Sequence, residues 1–191
     1  MTKNNDEGTY WGDFSEAMRA KMRGASDYWY WRNKPEMEVG AAQEVLSRAG
    51  LSVERLRARR DGNDPPDCEA EIGGQHCGIE VTELLHRKTL EATIRGTAQY
   101  FLWDREDLLR ELQGVIDRKD RPHTVKGGPY DRYILVIVTD EFVLGQADTK
   151  GYLSGAVFRS HMITDVYLGL SYDPAFEGGS CPVFELTLSR R

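Results

Sequence analysis

The dipeptide Gly73-Gly74 constrains the fold of this chain more than any other feature, because it separates two segments whose residues alternate in polarity. Two adjacent glycines readily adopt the positive φ angles that a two-residue turn between antiparallel strands requires. The pattern therefore predicts a β-hairpin in which Ile72 lies opposite Gln75. Counting outward from this turn along both strands places Asp67 directly opposite Glu80.

Successive side chains of a strand point to opposite faces of a sheet, so this register divides the hairpin into two faces. The predicted apolar face holds Cys68, Ala70, Ile72, Cys77, Ile79 and Val81. The predicted polar face holds Asp67, Glu69, Glu71, His76, Glu80 and Thr82. The acids of the polar face are either solvated charges or ligands of a cation. The first interpretation gives them water as a partner, and the second gives them a metal ion.

Asp67 and Glu80 favour the second interpretation. Cβ atoms of directly opposed residues lie about 4.5–5.5 Å apart, and two carboxylates at that spacing repel unless a proton or a cation lies between them. Glu80 also lies within the apolar run GIEV, where an unpaired acid is costly. Oxygen ligands suit Mg²⁺, or Mn²⁺ as a substitute, and the backbone carbonyl of Val81 is a further candidate ligand. Glu69 and Glu71 fit the solvated interpretation.

The rest of the chain predicts an α/β fold with a mixed central sheet flanked by helices. The expected helices are Pro35–Ala49 and two within residues 89–119, separated by a break at Gly96 or Asp104, with residues 141–158 ambiguous. The expected strands, besides the hairpin, are Leu51–Arg60, Tyr133–Val138, Val166–Leu170 and Val183–Leu188. Residues 1–34 are expected to form a polar and aromatic arm, and residues 35–191 a single domain with C-terminal strand additions.

Composition narrows the choice of partners. The net charge of −6 excludes a surface that is basic throughout, so nucleic acid would contact a local patch. The sequence contains no apolar run of about 18 residues, so it predicts no membrane span. Cys68, Cys77 and Cys181 have no CxxC spacing, which argues against a zinc site or a disulfide framework and favours a reducing cytoplasm.

Two clusters leave alternatives open. The arginines of the strand that precedes the hairpin either contact a phosphate backbone or guard a solvated edge strand; they are Arg55, Arg57, Arg59 and Arg60. The aromatic run Tyr28–Trp31 either stacks on nucleic-acid bases or covers a core or an interface.

His86 is the histidine nearest to the acids in sequence, and we expect it to be structural or exposed.

Pro66-Asp67, followed by Glu80 within Ile79-Glu80-Val81-Thr82, resembles the motif of the PD-(D/E)XK nuclease superfamily, also called restriction-endonuclease-like. The predicted order of elements over residues 35–140 is similar to the αβββαβ core of that family. The resemblance implies Mg²⁺-dependent hydrolysis of phosphodiester bonds in nucleic acid, with DNA the expected substrate. Asp67 and Glu80 would be metal ligands, with Glu44 as the best-matching acid of the first helix and Glu38 as the second choice.

One position departs from the family's motif. Thr82 stands where the family has a lysine that orients or deprotonates the attacking water. Lys88 is the nearest replacement in sequence, with Arg87 and Gln99 as further candidates, while Thr82 shares the predicted face of Glu80 and could hold a water. The departure keeps a second hypothesis open, in which the protein has lost catalysis and binds or inhibits another protein. A homodimer is expected only by analogy with the family.

Overall fold

The structure is a computed structural model that describes residues 34–59, 62–95, 101–141, 143–170 and 182–190. The predicted N-terminal arm up to residue 33, with its aromatic run Tyr28–Trp31, lies outside these ranges, as do Arg60, Gln99 and Cys181. Among the described residues, no helix combines the length and the apolar composition that a membrane crossing requires.

The described residues form four α-helices and eight strands. The helices are α1 (Lys34–Arg48), α2 (Arg87–Ile94), α3 (Arg105–Lys119) and α4 (Gln146–Leu153), and a 3₁₀ turn spans Pro122–Thr124. The strands are β1 (Val53–Ala58), β2 (Cys68–Ile72), β3 (Gln75–Glu83), β4 (Arg132–Thr139), β5 (Phe158–Ser160), β6 (Asp165–Leu170), β7 (Val183–Glu185) and β8 (Leu188–Arg190). The predicted α/β class is therefore confirmed.

Six strands form one mixed sheet in the order β1-β2-β3-β4-β6-β7, and β5 pairs with β8 in a separate small sheet. The first three strands are antiparallel neighbours, whereas β3, β4 and β6 run parallel. Strand β7 is antiparallel to β6. Strand β4 lies between two parallel partners and is buried along most of its length, which explains its near-continuous apolar sequence.

Helices α1 and α3 cover opposite faces of this sheet. Leu168 and Leu170 belong to the core cluster that includes the buried side of α3. Gly169, between them, points the other way, and a Cβ built on it would lie 2.7 Å from Cγ2 of Val45 in α1. A glycine is needed there because α1 approaches the strand so closely. The sheet is consequently flanked by helices, as predicted.

The hairpin has the predicted register. Ile72 pairs with Gln75 and Cys68 with Ile79, and both turn glycines have positive φ angles, +59° at Gly73 and +77° at Gly74. All six residues of the predicted apolar face are buried, with 0–3% of their surface exposed. A local polarity pattern was therefore sufficient to define this pairing.

Two strand predictions need correction. In β1 the register shifts between Glu54 and Arg57, and Arg55 has a positive φ of 54°; this bulge explains why its apolar residues do not alternate strictly. The single strand predicted over Val183–Leu188 is two strands in different sheets. The buried Leu186 lies between them and donates its amide to Val166, after which the chain passes to the small sheet.

The helical predictions agree more closely with the structure. Helix α1 matches the predicted Pro35–Ala49 within one residue at each end. Asp104, one of the two predicted break points, is the N-cap of α3, and its side chain accepts a hydrogen bond from the amide of Asp107. The ambiguous residues 141–158 contain the short helix α4.

Candidate active site

Asp67 lies in the bend just before β2, where the chain enters the hairpin. Its Oδ2 accepts a hydrogen bond from the amide of Val81 at 2.8 Å, and the residue is 8% exposed. The paired register ends at Cys68–Ile79, and the charge of Asp67 adds to the burial that raises the pKa of Glu80. The two carboxyl groups are thus close enough to interact, and their direct pairing across the hairpin stays a prediction. The contact with Val81 uses its amide, and the assignment of its carbonyl as a metal ligand stays a prediction.

Glu80 is the most deeply buried acid of the hairpin, with 2% of its surface exposed. Lys119 Nζ lies 2.6 Å from its Oε2, and the hydroxyl of Tyr133 donates to its Oε1 at 3.2 Å. Burial raises the pKa of Glu80, the charge of Asp67 adds to that effect, and Lys119 opposes it. The carboxylate is thus bound on both oxygens by groups from two other elements.

Lys119 was not among the predicted site residues, although it supplies the cation that contacts Glu80. It is the last residue of α3 and follows the buried Val115 and Ile116 by four and three positions, which places it at the margin of the buried stripe. The next residue, Asp120, accepts hydrogen bonds from the amides of Met162 and Ile163. The end of α3 is therefore tied to the segment before β6. These hydrogen bonds hold in place the backbone from which the Lys119 side chain extends.

The acid that α1 contributes is Glu38, the second choice of the sequence analysis, whereas Glu44 lies elsewhere. Glu38 is 4% exposed and its Oε1 lies 2.9 Å from Lys34 Nζ. Glu44 is exposed and pairs with Arg48 at 2.7 Å. Glu38 precedes the buried Ala42 by one helical turn and so shares its face. A count of buried positions along α1 would have favoured it.

Cys68 is a buried thiol on the apolar face of the hairpin. Burial raises the pKa of this thiol to about 12, and the charges of Asp67, Glu38 and Glu80 contribute to the increase in that order. A thiol with so high a pKa stays protonated and carries no nucleophilic chemistry at neutral pH.

Lys88 lies away from these acids. Its Nζ is 3.5 Å from Asp107 Oδ2, and more than half of its side chain is exposed. Arg87 pairs with Glu91 in the same helix. Lys88 thus contacts Asp107, whereas the ammonium group that contacts Glu80 is that of Lys119. The role of Lys88 toward an attacking water stays a prediction. Thr82 is half-buried on β3, two residues after Glu80, and its water-holding role stays a prediction.

His86 belongs to a different environment, just beyond the end of β3. The residue is 2% exposed, and its ring lies 4.5 Å from that of Trp103 and 5.7 Å from that of Phe101, between centroids. Its Nε2 is 3.7 Å from Asp107 Oδ2, beyond hydrogen-bonding distance. The expectation that His86 is structural or exposed is met by burial among aromatic rings.

The arginines of β1 are paired with acids of the hairpin. Arg55 lies 2.6 Å from Glu71, and Arg57 and Arg59 lie 3.1 and 3.3 Å from Glu69, between nitrogen and carboxylate oxygen. Tyr130 also donates its hydroxyl to Glu69 at 2.7 Å. These pairs neutralise much of the basic patch. The solvated-edge interpretation fits Arg55 and Arg57, whose side chains are 75% and 73% exposed, whereas the side chain of Arg59, just after β1, is only 11% exposed.

The donor set near Asp67 and Glu80 consists of carboxylate oxygens, which Mg²⁺ and Mn²⁺ prefer. Within the described ranges, no three or more His, Cys, Asp and Glu residues converge closely enough to hold a metal ion. Glu38 therefore does not complete a preformed three-acid cage, and the pair Asp67 and Glu80 is what fits. A Mg²⁺ ion is commonly held by one or two carboxylates together with waters and substrate phosphate.

No protein-family model, no curated protein and no solved structure matches this chain. The chemistry of the site is consequently argued from its residues alone.

Proposed function

We propose that this protein is a metal-dependent nuclease that hydrolyses phosphodiester bonds in nucleic acid, with DNA the expected substrate. The observation that carries the proposal is the adjacency of two buried acids, Asp67 and Glu80, with the ammonium group of Lys119 in contact with Glu80 at 2.6 Å. Two carboxylates and one amine of this kind are the groups that the PD-(D/E)XK motif combines. The element order from α1 to β4 supports the same restriction-endonuclease-like core.

Each residue has a distinct part in the proposed chemistry. Asp67 and Glu80 would hold Mg²⁺, or Mn²⁺ in its place. When bound, the cation lowers the pKa of a coordinated water and neutralises phosphate charge. The amide of Val81 orients Asp67 through its 2.8 Å hydrogen bond, and the hydroxyl of Tyr133 orients Glu80. Glu38 contributes negative charge from α1 without converging on the pair.

Lys119 takes the part that the resemblance assigns to the lysine at the position of Thr82. A lysine can serve from a different element because only the position of its ammonium group matters for water and phosphate. The side chain of Lys119 is 31% exposed, so part of it borders solvent, from which a substrate would arrive. A phosphate next to this site would meet both the cation held by the acids and the amine.

A binding module without catalysis is the second candidate function, and the contacts of β1 favour it. Arg55, Arg57 and Arg59 pair with Glu71 and Glu69, so the strand offers a nucleic-acid backbone little unpaired positive charge. In this alternative the Glu80–Lys119 pair is a structural ion pair, and the partner is another protein.

Cleavage of plasmid and single-stranded DNA with Mg²⁺ or Mn²⁺ tests the proposal. We expect Asp67→Asn to lower the rate at least about 100-fold, as loss of a group that acts in the transition state does. Glu38→Gln should lower it less, and Glu44→Gln, on the exposed face of the same helix, serves as the matched control with the wild-type rate. Cleavage that persists in Asp67→Asn would reject the site, whereas a wild type that cuts neither substrate with either cation would favour the binding module.

A further inference from the structure

Two lysines contact the acids of the candidate site. Lys34 Nζ lies 2.9 Å from Glu38, and Lys119 Nζ lies 2.6 Å from Glu80. When they are ionised, Asp67, Glu38 and Glu80 carry three negative charges. Lys34 and Lys119 carry two positive charges, so the net charge of the five side chains is −1. The acids are therefore largely balanced by the chain's own amines.

We propose that Lys119 is an exchangeable counter-ion, which occupies Oε2 of Glu80 until a divalent cation replaces it. On replacement, its ammonium group moves toward solvent and becomes available to a phosphate. The inference rests on the proposed function, since it assigns the cation to the same pair of acids. It adds that metal binding and the release of Lys119 are a single event.

The burial of the two partners supports an exchange. The side chain of Glu80 is 3% exposed and cannot turn to water, so it needs a positive partner in place. The side chain of Lys119 is 31% exposed, and a lysine stem of four carbons is flexible. The amine can therefore leave while the carboxylate stays.

The two oxygens of Glu80 differ in a way that directs the exchange. Oε1 accepts a hydrogen bond from Tyr133, a residue that is 4% exposed and held within β4. Oε2 faces the amine. Tyr133 keeps the carboxylate oriented during the exchange, and Oε2 is the atom that passes from one cation to the other. Asp67, bound to the Val81 amide through its Oδ2, contributes the second acidic group.

The exchange predicts opposite effects of one substitution on two measurements. Lys119→Met removes the competing amine, so Mn²⁺ should bind the acids more tightly. The same substitution removes the amine that meets phosphate, so cleavage should be slower. If the lysine served only as a structural partner, or only as a catalytic group, its substitution would not both tighten Mn²⁺ binding and slow cleavage.

Isothermal titration of Mn²⁺ into wild type, Lys119→Met and Lys150→Met tests the exchange. Lys150 is exposed on α4 and is the matched control. We expect Lys119→Met to bind Mn²⁺ about tenfold more tightly than the other two, since a tenfold change requires only about 1.4 kcal/mol of lost competition. Equal or weaker binding by Lys119→Met overturns the proposal.

Two additions keep the test decisive. Lys119→Gln retains a neutral polar end, and it should show the same increase if Lys119→Met does not fold. Adding Glu80→Gln to either variant should abolish the gain, and a gain that persists places the Mn²⁺ elsewhere and overturns the exchange. Cleavage is measured separately, so a tighter-binding Lys119→Met beside a wild type that cuts no DNA supports the exchange and rejects the nuclease.

Discussion

Glu80 is buried and Glu141 is half-buried, and burial raises the pKa of both carboxyl groups, but they have different partners. Glu80, within β3, contacts the amine of Lys119 and the hydroxyl of Tyr133. Glu141, just after β4, accepts a hydrogen bond from the backbone amide of His86 at 2.9 Å. A backbone amide cannot leave without moving the chain, whereas an amine at the end of a flexible stem can.

This difference separates a structural contact from a candidate site. The Glu141–His86 bond joins the segment after β3 to the segment after β4, so it secures the carboxyl ends of two parallel strands. The Glu80–Lys119 pair joins β3 to the end of α3 through a side-chain amine. Burial by itself therefore does not distinguish the two acids, whereas the kind of partner does.

The largest expected effect on stability comes from Lys119→Met. This substitution leaves Glu80 buried without a cation, and we expect a loss of about 3 kcal/mol in the free energy of unfolding at pH 7 without divalent cations. The loss should shrink as pH falls, because protonated Glu80 needs no cation. Urea unfolding measures it, with Lys150→Met as control. A loss below about 0.5 kcal/mol would place this pair with the exposed ones.

Tyr133→Phe is expected to have the next largest effect. It removes one hydrogen bond to Glu80 and keeps the ring that packs in the core. A hydrogen bond to a charged buried group contributes about 1.5–3 kcal/mol, and we expect the lower end because the contact is 3.2 Å long. Urea unfolding of this variant beside wild type measures the loss. No loss would indicate that Lys119 alone holds the carboxylate.

Glu141→Gln should stabilise the protein at neutral pH, because burial opposes the charged form of Glu141 and glutamine carries no charge. Because the folded-state pKa of Glu141 lies above its ordinary value of 4.5, the stabilising protonated form is lost as pH rises through the raised value. Glutamine keeps an acceptor for the His86 amide and cannot ionise. Unfolding measured from pH 4 to 8 should show that wild type and variant converge at the acid end. Convergence at the alkaline end would reverse the sign and contradict the assignment.

The smallest effect is expected for Arg55→Ala. Its partner Glu71 lies 2.6 Å away, but three quarters of the arginine side chain is exposed, and exposed pairs contribute about 0–1 kcal/mol. We expect a loss below about 0.5 kcal/mol, reduced further at high salt. A loss comparable with that of Lys119→Met would show that the comparison between buried and exposed pairs does not hold here.

Local patterns were sufficient for much of the fold. The hairpin register, the bounds of α1 and the N-cap of α3 follow from turn glycines, apolar spacing and a capping aspartate, all of which act over a few residues. The bulge at Arg55 and the division of the last predicted strand at Leu186 were not predicted. Both depend on which neighbouring strand pairs with the chain. The sequence of one segment does not specify its pairing partner.

The sequence by itself determined the register of the hairpin that carries the two acids, because the alternation of side chains and the glycine turn leave one register, and the structure shows that register as far as the Cys68–Ile79 pair. Only the tertiary structure decided which cationic side chain contacts Glu80. Lys119 lies 39 positions after Glu80 and reaches it through the packing of α3 on the sheet, while Lys88, much nearer along the chain, contacts Asp107. The orientation of a helix against a sheet depends on many weak contacts together, so proximity in sequence could not substitute for it.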